Sequence, residues 1–584
     1  MAAGMLAATS CTDFNDYNEV PAEQNVAAGR TLWENIKDNP DLSNFRQLVE
    51  QTGFQDYLSE NRAITVWAPS NNYLQLTDYQ GMSDSLLLAR VIKNHVAEYR
   101  YLASGQLDNE RIHMLNEKSF SFNGNGNYTF GGVSVGKPNQ PSGNGIMHIL
   151  DGVVPFYPNL YEYVAADTVL NDLHDYVMKY EETTLDLEKS VKGPIVDGEQ
   201  TYIDKVYVTN NSILNRNRMN AKLQSEDSVY TMIMPTDEAY QDMYDRVKSL
   251  YKYIGKTTVE MPAQYTQASS SVTKDVSLEN ATDLTDSISK EWIIRNLVYS
   301  HTSPYNAAIG NGETLDTIYS TRGTKLSNPQ ALLEDRLVGE PIKMSNGFGR
   351  QVDSLAFMPW ETYNPEIESL FSRNLLKAFN HSLSLVNVRD EAGWVLGPEY
   401  TSFRYTLITP KAADTSKPEL FISLPNVLSG TYKVYCVFLP AALGSGVNKP
   451  TAMNFQLSYT NASNKVQTYT FCANPDDPTH KASTTGNWSD NPKPSLNTAF
   501  VNDTNKVYKA DTIALGTFTF PVCYKGLAND NERVAPHLHV SSPLSLFNKT
   551  QMANYSREFR IWAIILRPVD YDEYLNSNNT NDNE

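Results

Sequence analysis

Cysteine is scarce in this chain, at four in 584 residues, so no disulfide scaffold carries the fold. Positive charge is also short. There are 48 Lys and Arg against 67 Asp and Glu, a net charge of −19, and this argues against nucleic acid as a partner. No apolar run reaches the roughly eighteen residues that a membrane-crossing helix needs, so none is expected. The sequence has no H-E-x-x-H, no G-x-S-x-G, no phosphate loop and no paired C-x-x-C. The nine histidines are scattered, and no carboxylate spacing singles out an acid–base pair. Catalytic residues, metal ligands and cofactors are therefore not expected, and an enzyme is not the reading. What is plentiful is tyrosine, 35 against 21 phenylalanines, a profile that suits surfaces needing contact area with a polar tip.

The strongest positive signal is a pattern that occurs twice. Ile64 to Leu74 reads ITVWAPSNNYL, and Tyr230 to Tyr240 reads YTMIMPTDEAY. Each is a strand-like run ending in a proline, Pro69 or Pro235, which has no N–H to continue a ladder. A hydroxyl residue follows, Ser70 or Thr236, suited to cap a helix. Downstream, NGIMHILDGVV (Asn144 to Val154) is echoed by NGFGRQVDSL (Asn346 to Leu355). In each, Asn-Gly (Asn144-Gly145, Asn346-Gly347) opens a strand that closes on Asp151 or Asp353. Two motifs recurring in the same order make an internal repeat.

These residues carry a family resemblance. The chain resembles tandem fasciclin-domain proteins, whose first motif is a strand ending in A-P-[ST]-[ND] and whose second is an N-G-x-[IV]-H-x-[IV]-D strand. The first copy matches both, including His148 and Asp151. His95, in VIKNHVAEY, stands where the family has its tyrosine–histidine motif. The second copy diverges, with Met234 where the family prefers Ala and Arg350 where it has apolar residues or His. Its helix analogue is WIIRNLVYSHTS, with His301. The resemblance implies adhesion and protein–protein contact rather than turnover. His95 and His148 read as hydrogen-bonded structural histidines.

The amino terminus carries a second resemblance. In MAAGMLAATSC a short, small-residue-rich apolar stretch ends at Cys11, like a bacterial lipoprotein cleavage box. Such a cysteine is diacylated, and two chains anchor stably where one does not. No basic residue precedes the stretch, which is short for a secretory signal. The alternative is a disordered leader with an incidental cysteine. Asp13 and Asp16 just after the cysteine resemble a surface-export signal of Bacteroidota.

The chain divides on this reading into a leader and tether (1–28), a first fasciclin-like domain (29–158), a divergent second one (159–365), a β-sandwich (366–570) and a disordered tail (571–584). Thr31 and Glu34 have the spacing of a capping box. NGNGNYT (123–129) reads as a hairpin turn. The second domain carries insertions at Asp197–Asn217 and at Thr257–Asp286, the latter read as an extended loop. From Glu366, short strands alternate with turn clusters, which favours an antiparallel sandwich. In TYKVYCVFLP both alternating faces are apolar, so both are expected to be covered. FRIWAIILRP resembles the last strand of galactose-binding-like jelly rolls. The expected fold class is multidomain α+β, two fasciclin-like mixed α/β domains followed by an antiparallel β-sandwich.

If Cys11 is lipidated, three cysteines remain. Cys436 reads as a buried strand thiol, while Cys472 and Cys523 pair if their strands adjoin and are otherwise free. The polar loop 474–494 holds Asp476, Asp477, Trp488 and Asp490. Its tryptophan either stacks on a sugar or pins the loop to the sandwich. The functional expectation is a cell-surface outer-membrane lipoprotein acting as a non-enzymatic binding component. Its partners would be a SusCD-like transporter or other surface lipoproteins, with a glycan or peptide as cargo. The alternatives are a stand-alone adhesin binding host or neighbouring-cell matrix and, third, a degenerate hydrolase.

Overall fold

The computed structural model describes residues 29–581, apart from 167–169, 189, 197, 205–206, 262–271, 380, 390–394, 412–417, 441–442, 444–452, 472–509, 528–534 and 543–556. The first unit opens with the helix Leu32–Asp38. The Thr31 hydroxyl accepts from the Glu34 amide, and Glu34 reaches back to the Thr31 amide, which closes the capping box. Two helices come next, Ser43–Gln51 and Gln55–Ser59. The strands are β1 (Ile64–Pro69), β2 (Val96–Glu98), β3 (Gln106–His113), β4 (Ser119–Asn125), β5 (Asn127–Phe130), β6 (Val133–Ser142) and β7 (Gly145–Leu150). They form one sheet in the order β2-β1-β7-β6-β5-β4-β3, with β1 and β7 parallel. Successive side chains of β1 leave on opposite faces. Ile64, Val66 and Ala68 join the helices in one core, and Trp67 packs with Phe122, Phe130 and Leu150 in another.

The second unit begins with the helices Leu160–Ala166 and Asn171–Met178. Two ribbons come after them, in which β8 (Glu181–Leu185) pairs with β11 (Tyr207–Asn211) and β9 (Val191–Val196) with β10 (Glu199–Asp204). Next are β12 (Tyr230–Pro235), the helix Asp237–Leu250, the hairpin β13 (Lys256–Met261) and β14 (Val272–Ser277), and the helix Ala281–Ile294. The unit closes with β15 (Val298–Ser300), β16 (Thr317–Tyr319), β17 (Lys325–Ser327), β18 (Ile342–Met344) and β19 (Gly347–Val352). Its main sheet runs β15-β12-β19-β18, the same topology as β2-β1-β7-β6. The registers repeat as well. Ile64 pairs with Gly145 and Glu98, while Tyr230 pairs with Gly347 and Ser300. The sequence repeat is thus a repeat of the fold.

The third unit has eleven strands in two antiparallel sheets among the described residues. They are β20 (Ile367–Leu370), β21 (Leu375–Phe379), β22 (His381–Arg389), β23 (Ser402–Pro410), β24 (Glu419–Ser423), β25 (Thr431–Phe438), β26 (Asn454–Thr460), β27 (Val466–Thr470), β28 (Asp511–Thr519), β29 (His537–Ser541) and β30 (Phe559–Pro568). One sheet is β22-β23-β30-β25-β28, with β20 also on β30, and the other is β21-β24-β29-β26-β27. Phe438 meets Phe455 and Tyr459 meets Phe518 across the gap between them. Tyr432, Val434, Cys436 and Phe438 of β25 enter that inner core, whereas Val437 and Leu439 join Trp562 and Tyr405 on the outer side.

Four expectations are corrected. Ser70 caps no helix. Its carbonyl accepts from the Tyr73 and Leu74 amides in a turn, and the next helical residues are the 3-10 turn Leu76–Tyr79. Thr236 does cap, its hydroxyl accepting from the Ala239 amide at 3.3 Å. The described residues of Thr257–Asp286 are not an extended loop, since they hold most of β13, all of β14 and the start of the helix Ala281–Ile294. The tail is a helix, Val569–Asn581, rather than a disordered run. Buried Asp572 anchors it by accepting from Tyr435 and pairing with Lys433 at 2.9 Å and Arg567 at 3.3 Å, while Trp360 stacks on Tyr571 and packs at a tilt against Tyr574. Finally, His301 is not the counterpart of His95. The registers of β2 and β15 put Leu297 in that place, and His301 holds the place that Tyr99 has in the first unit.

The units are joined unequally. The second and third share one continuous hydrophobic core. The Leu250 carbonyl accepts from the Ser429 amide, the Lys252 carbonyl from the Cys523 amide, and the Tyr253 hydroxyl donates to the Lys525 carbonyl. The β13–β14 hairpin adds two bonds, with the Thr258 amide donating to Asn464 Oδ1 at 2.8 Å and the Thr460 hydroxyl to the Thr258 carbonyl. The first unit keeps its own two cores. It meets the second through Lys118, whose ammonium is buried between Glu162 and Glu226, each at 2.7 Å.

Candidate functional site

The repeated motif residues form a scaffold. Asn144 Oδ1 accepts from the Leu32 amide at 2.8 Å, and its Nδ2 donates to the Leu58 and Glu60 carbonyls. Asn346 repeats this with the Leu160 amide and the Leu223 and Ser225 carbonyls. Each asparagine therefore stitches the entry helix and the preceding loop to the mouth of the β1–β7 or β12–β19 pair. The next residue must be glycine. A Cβ at Gly145 would lie 2.2 Å from the Ile64 carbonyl oxygen, and one at Gly347, where φ is +143°, would lie 1.8 Å from that of Tyr230. Pro69 and Pro235 end β1 and β12, and the amides of Ser70 and Thr236 donate to Leu150 and Val352. Asp151 lies exposed just beyond β7, its amide bonded to the Ser134 carbonyl.

The histidines are engaged in structure. His148 Nε2 faces the Tyr101 carbonyl at 2.8 Å, and its Nδ1 accepts from the Asn139 amide at 3.3 Å. The ring packs against Trp67 and Phe122. His95 Nδ1 meets the Val91 carbonyl at 2.7 Å, and its Nε2 accepts from the Val154 amide. Burial pushes both imidazoles down to about 4, so they are neutral near pH 7. His301 bonds the Thr231 hydroxyl at 2.8 Å. Arg350, in the place of His148, is buried with its guanidinium on the Leu333 carbonyl and Glu334. Cys436 and Cys523 are buried and in no disulfide, and burial pushes the Cys523 thiol up to about 11. Cys11, Cys472, Asp476, Asp477, Trp488 and Asp490 lie outside the described residues. Among the described residues no group of acidic, His or Cys side chains could hold a metal, and no helix is long and apolar enough to cross a membrane.

The two repeats differ most where a ligand could sit. Between the second entry helix and β12, the second unit inserts β8 to β11. This ribbon and the loop 212–230 enclose a groove of about 1030 Å³. The backbone of its floor is tied down. Asn211 Nδ2 donates to the Val177 carbonyl at 2.8 Å and its Oδ1 accepts from the Ile213 amide. The Lys222 amide donates to the Tyr230 hydroxyl at 3.1 Å, Asn346 holds Leu223 and Ser225, and the Thr321 hydroxyl donates to the Met219 carbonyl. Along the walls Glu182, Asn210, Asn215, Arg216, Lys222 and Gln224 have side chains without a hydrogen bond or ion pair among the described residues. The guanidinium of Arg218 lies 4.1 Å from the ring centre of Tyr180, which also lines the groove. Sequence reasoning missed this site. The only signal was the length of the insertion.

Residues 40–155 match the family model for the fasciclin domain. No curated protein matches the chain. Among solved structures, a FAS1 domain pair from the insect cell adhesion molecule fasciclin I is similar at 13% identity. That match covers 55% of this chain and 98% of that one, with a TM-score of 0.19. A Paenibacillus xanthan lyase is similar at 10% identity, covering 40% of this chain and 18% of that one, TM-score 0.17. An α-L-fucosidase from Vibrio sp. strain EJY3 is similar at 10% identity, covering 35% and 36%, TM-score 0.12. None of these superpositions amounts to a shared whole-chain architecture. Residues 40–155 are thus similar to a fasciclin domain, and the strand order and Asn-Gly stitch of that segment recur at 230–352.

Proposed function

We propose that the protein is a non-enzymatic binding or adhesion component of a cell surface, held in the outer membrane by a lipid on Cys11. The fasciclin match over residues 40–155 carries the reading, because fasciclin domains are in general adhesion or protein-binding domains without catalysis. The acidic composition and the leader ending at Cys11 support an exported, tethered body. On this reading the first unit adjoins the tether and lies nearest the membrane. The second and third units face outward and make the contacts, the protein acting as an auxiliary subunit of a SusCD-like glycan or peptide uptake complex.

Fractionation tests the anchor. Cys11→Ala is expected to move the intact protein from membranes to the soluble fraction, and continued membrane retention would overturn the lipid anchor. Purification of the native protein from membranes, with identification of what comes with it, tests the partner. A co-purifying transporter supports the auxiliary role. A stand-alone adhesin, the second reading, holds if no transporter is recovered and whole cells carrying the protein adhere to host or neighbouring-cell matrix.

A further inference from the structure

We infer that the groove between the β8–β11 ribbon and the loop 212–230 binds a carboxylate-bearing carbohydrate chain. The inference rests on the binding reading above and names the site and the ligand class. The first argument is architectural. The two fasciclin-type units share strand order, register and Asn-Gly stitch, yet only the second inserts a ribbon that walls a groove. An addition of this kind, on a repeat that folds without it, is where new recognition is placed.

The second argument is chemical. A site for an apolar ligand is lined mostly by hydrophobic side chains. Here Asn210, Asn215 and Gln224 instead present side-chain amides, each with two donor hydrogens and an acceptor oxygen. Sugar hydroxyls also donate and accept, so amides match them, and Glu182 adds an acceptor. Tyr180 supplies ring surface beside them. The volume of about 1030 Å³ lies at the upper limit for a single small ligand, which suits several linked rings.

The third argument is electrostatic. The molecule carries a net charge of −19, yet Arg216 and Lys222 stand exposed in the groove without a carboxylate partner among the described residues. Arg218 and Arg322 adjoin them, the latter donating to the Arg216 carbonyl. An island of positive charge on an acidic surface selects carboxylates, and arginine can take one through two parallel hydrogen bonds. Glu182 in the same groove disfavours densely charged polyanions and favours sugars whose carboxylates are spaced by neutral hydroxyls. The floor is rigid before binding, which lowers the entropic cost of capture.

Calorimetry with the full chain tests this against four probes: a tetragalacturonate, its methyl ester, a neutral cello-oligosaccharide of equal length and a poly-glutamate peptide. Tetragalacturonate is expected to bind at least tenfold more tightly than the other three, and more weakly as salt rises. An Arg216→Gln/Lys222→Gln double variant should lose at least tenfold of that affinity with an unchanged melting temperature, because both side chains are exposed. Equal binding of acid and ester, equal binding of poly-glutamate, or no tetragalacturonate binding at millimolar concentration would each overturn the inference. Groove binding without partners or adhesion would instead strike the proposed function. Partners recovered from membranes with an empty groove would strike only the ligand.

Discussion

Asn144 and Asn346 each satisfy three backbone groups with a single side-chain amide, and two of the three bonds in each set are buried at the mouth of the sheet. Each unpaired buried group costs about 1–3 kcal/mol. Asn144→Ala is therefore expected to lower stability by about 3 kcal/mol in denaturant titration followed by the first unit's fluorescence, and a loss below about 1 kcal/mol would refute the stitch. The buried histidines set a pH response. Folding lowers His95 and His148 from 6.5 to about 4, so between those values only the unfolded chain takes up the proton. Stability should be level above about pH 6.5, fall as the medium is acidified to about pH 4, and lose this slope below that. His148→Gln should flatten part of the slope, as read from melting temperatures across that range. The motif spacing marked these positions as scaffold, but not the three backbone bonds that each asparagine makes. The turn at Ser70 was not, because it is held by backbone bonds to the Ser70 carbonyl, which leave no mark in residue types.

At the scale of elements, the chain hides what it packs with hydroxyls and charges. The helix Ala281–Ile294 buries Thr285 and Ser289 along with Ile293, and the two hydroxyls donate to the Ala281 and Thr285 carbonyls of their own helix. Leu284, Ile288 and Trp292 pack against the core at helical spacing as well, but the hydroxyls set between them and the Ser- and Thr-rich approach mask that period, and the segment reads as loop. The strands of the sheets were more legible. Alternation in TYKVYCVFLP gives both buried faces, since the residues that fill them are mostly apolar. The helix Val569–Asn581 is held by ions and rings instead. Burial raises the Asp572 carboxyl, but hydrogen bonds from Tyr435 and Lys433 outweigh it and hold the group below 3.8. The bonded carboxylate stabilises the helix above that pH and stops doing so as acid protonates it. Melting curves of wild type and Asp572→Asn should differ near neutrality and converge as acid protonates the folded carboxyl, below 3.8. A difference unchanged in acid would count against the ionic anchor.

For the whole molecule, the units differ in independence. The second and third share a continuous core and are expected to unfold as one body, while the first, with cores of its own, is expected to unfold apart. Calorimetry should show two transitions rather than three. Removal of residues 366–584 should unfold the second unit as well, because it strips cover from Tyr251, Tyr253 and Trp292. Lys118→Met would leave Glu226 buried without its cation. Breaking such a pair costs about 3–5 kcal/mol when both ions are buried, and less here because Glu162 is about half exposed. The variant should keep both transitions while small-angle scattering records a wider spread of arrangements between the first unit and the rest.

The linker at Phe156 and Tyr157 takes on a further meaning from this division. Arg90 and Lys118 lie over the ring of Phe156, and Lys343 over that of Tyr157. A break between the second and third units would separate two halves of one core, whereas a break at this linker divides none. On that ground the first unit is the part most readily separated from the rest. A vector meant to express the second and third units together should therefore begin at this linker.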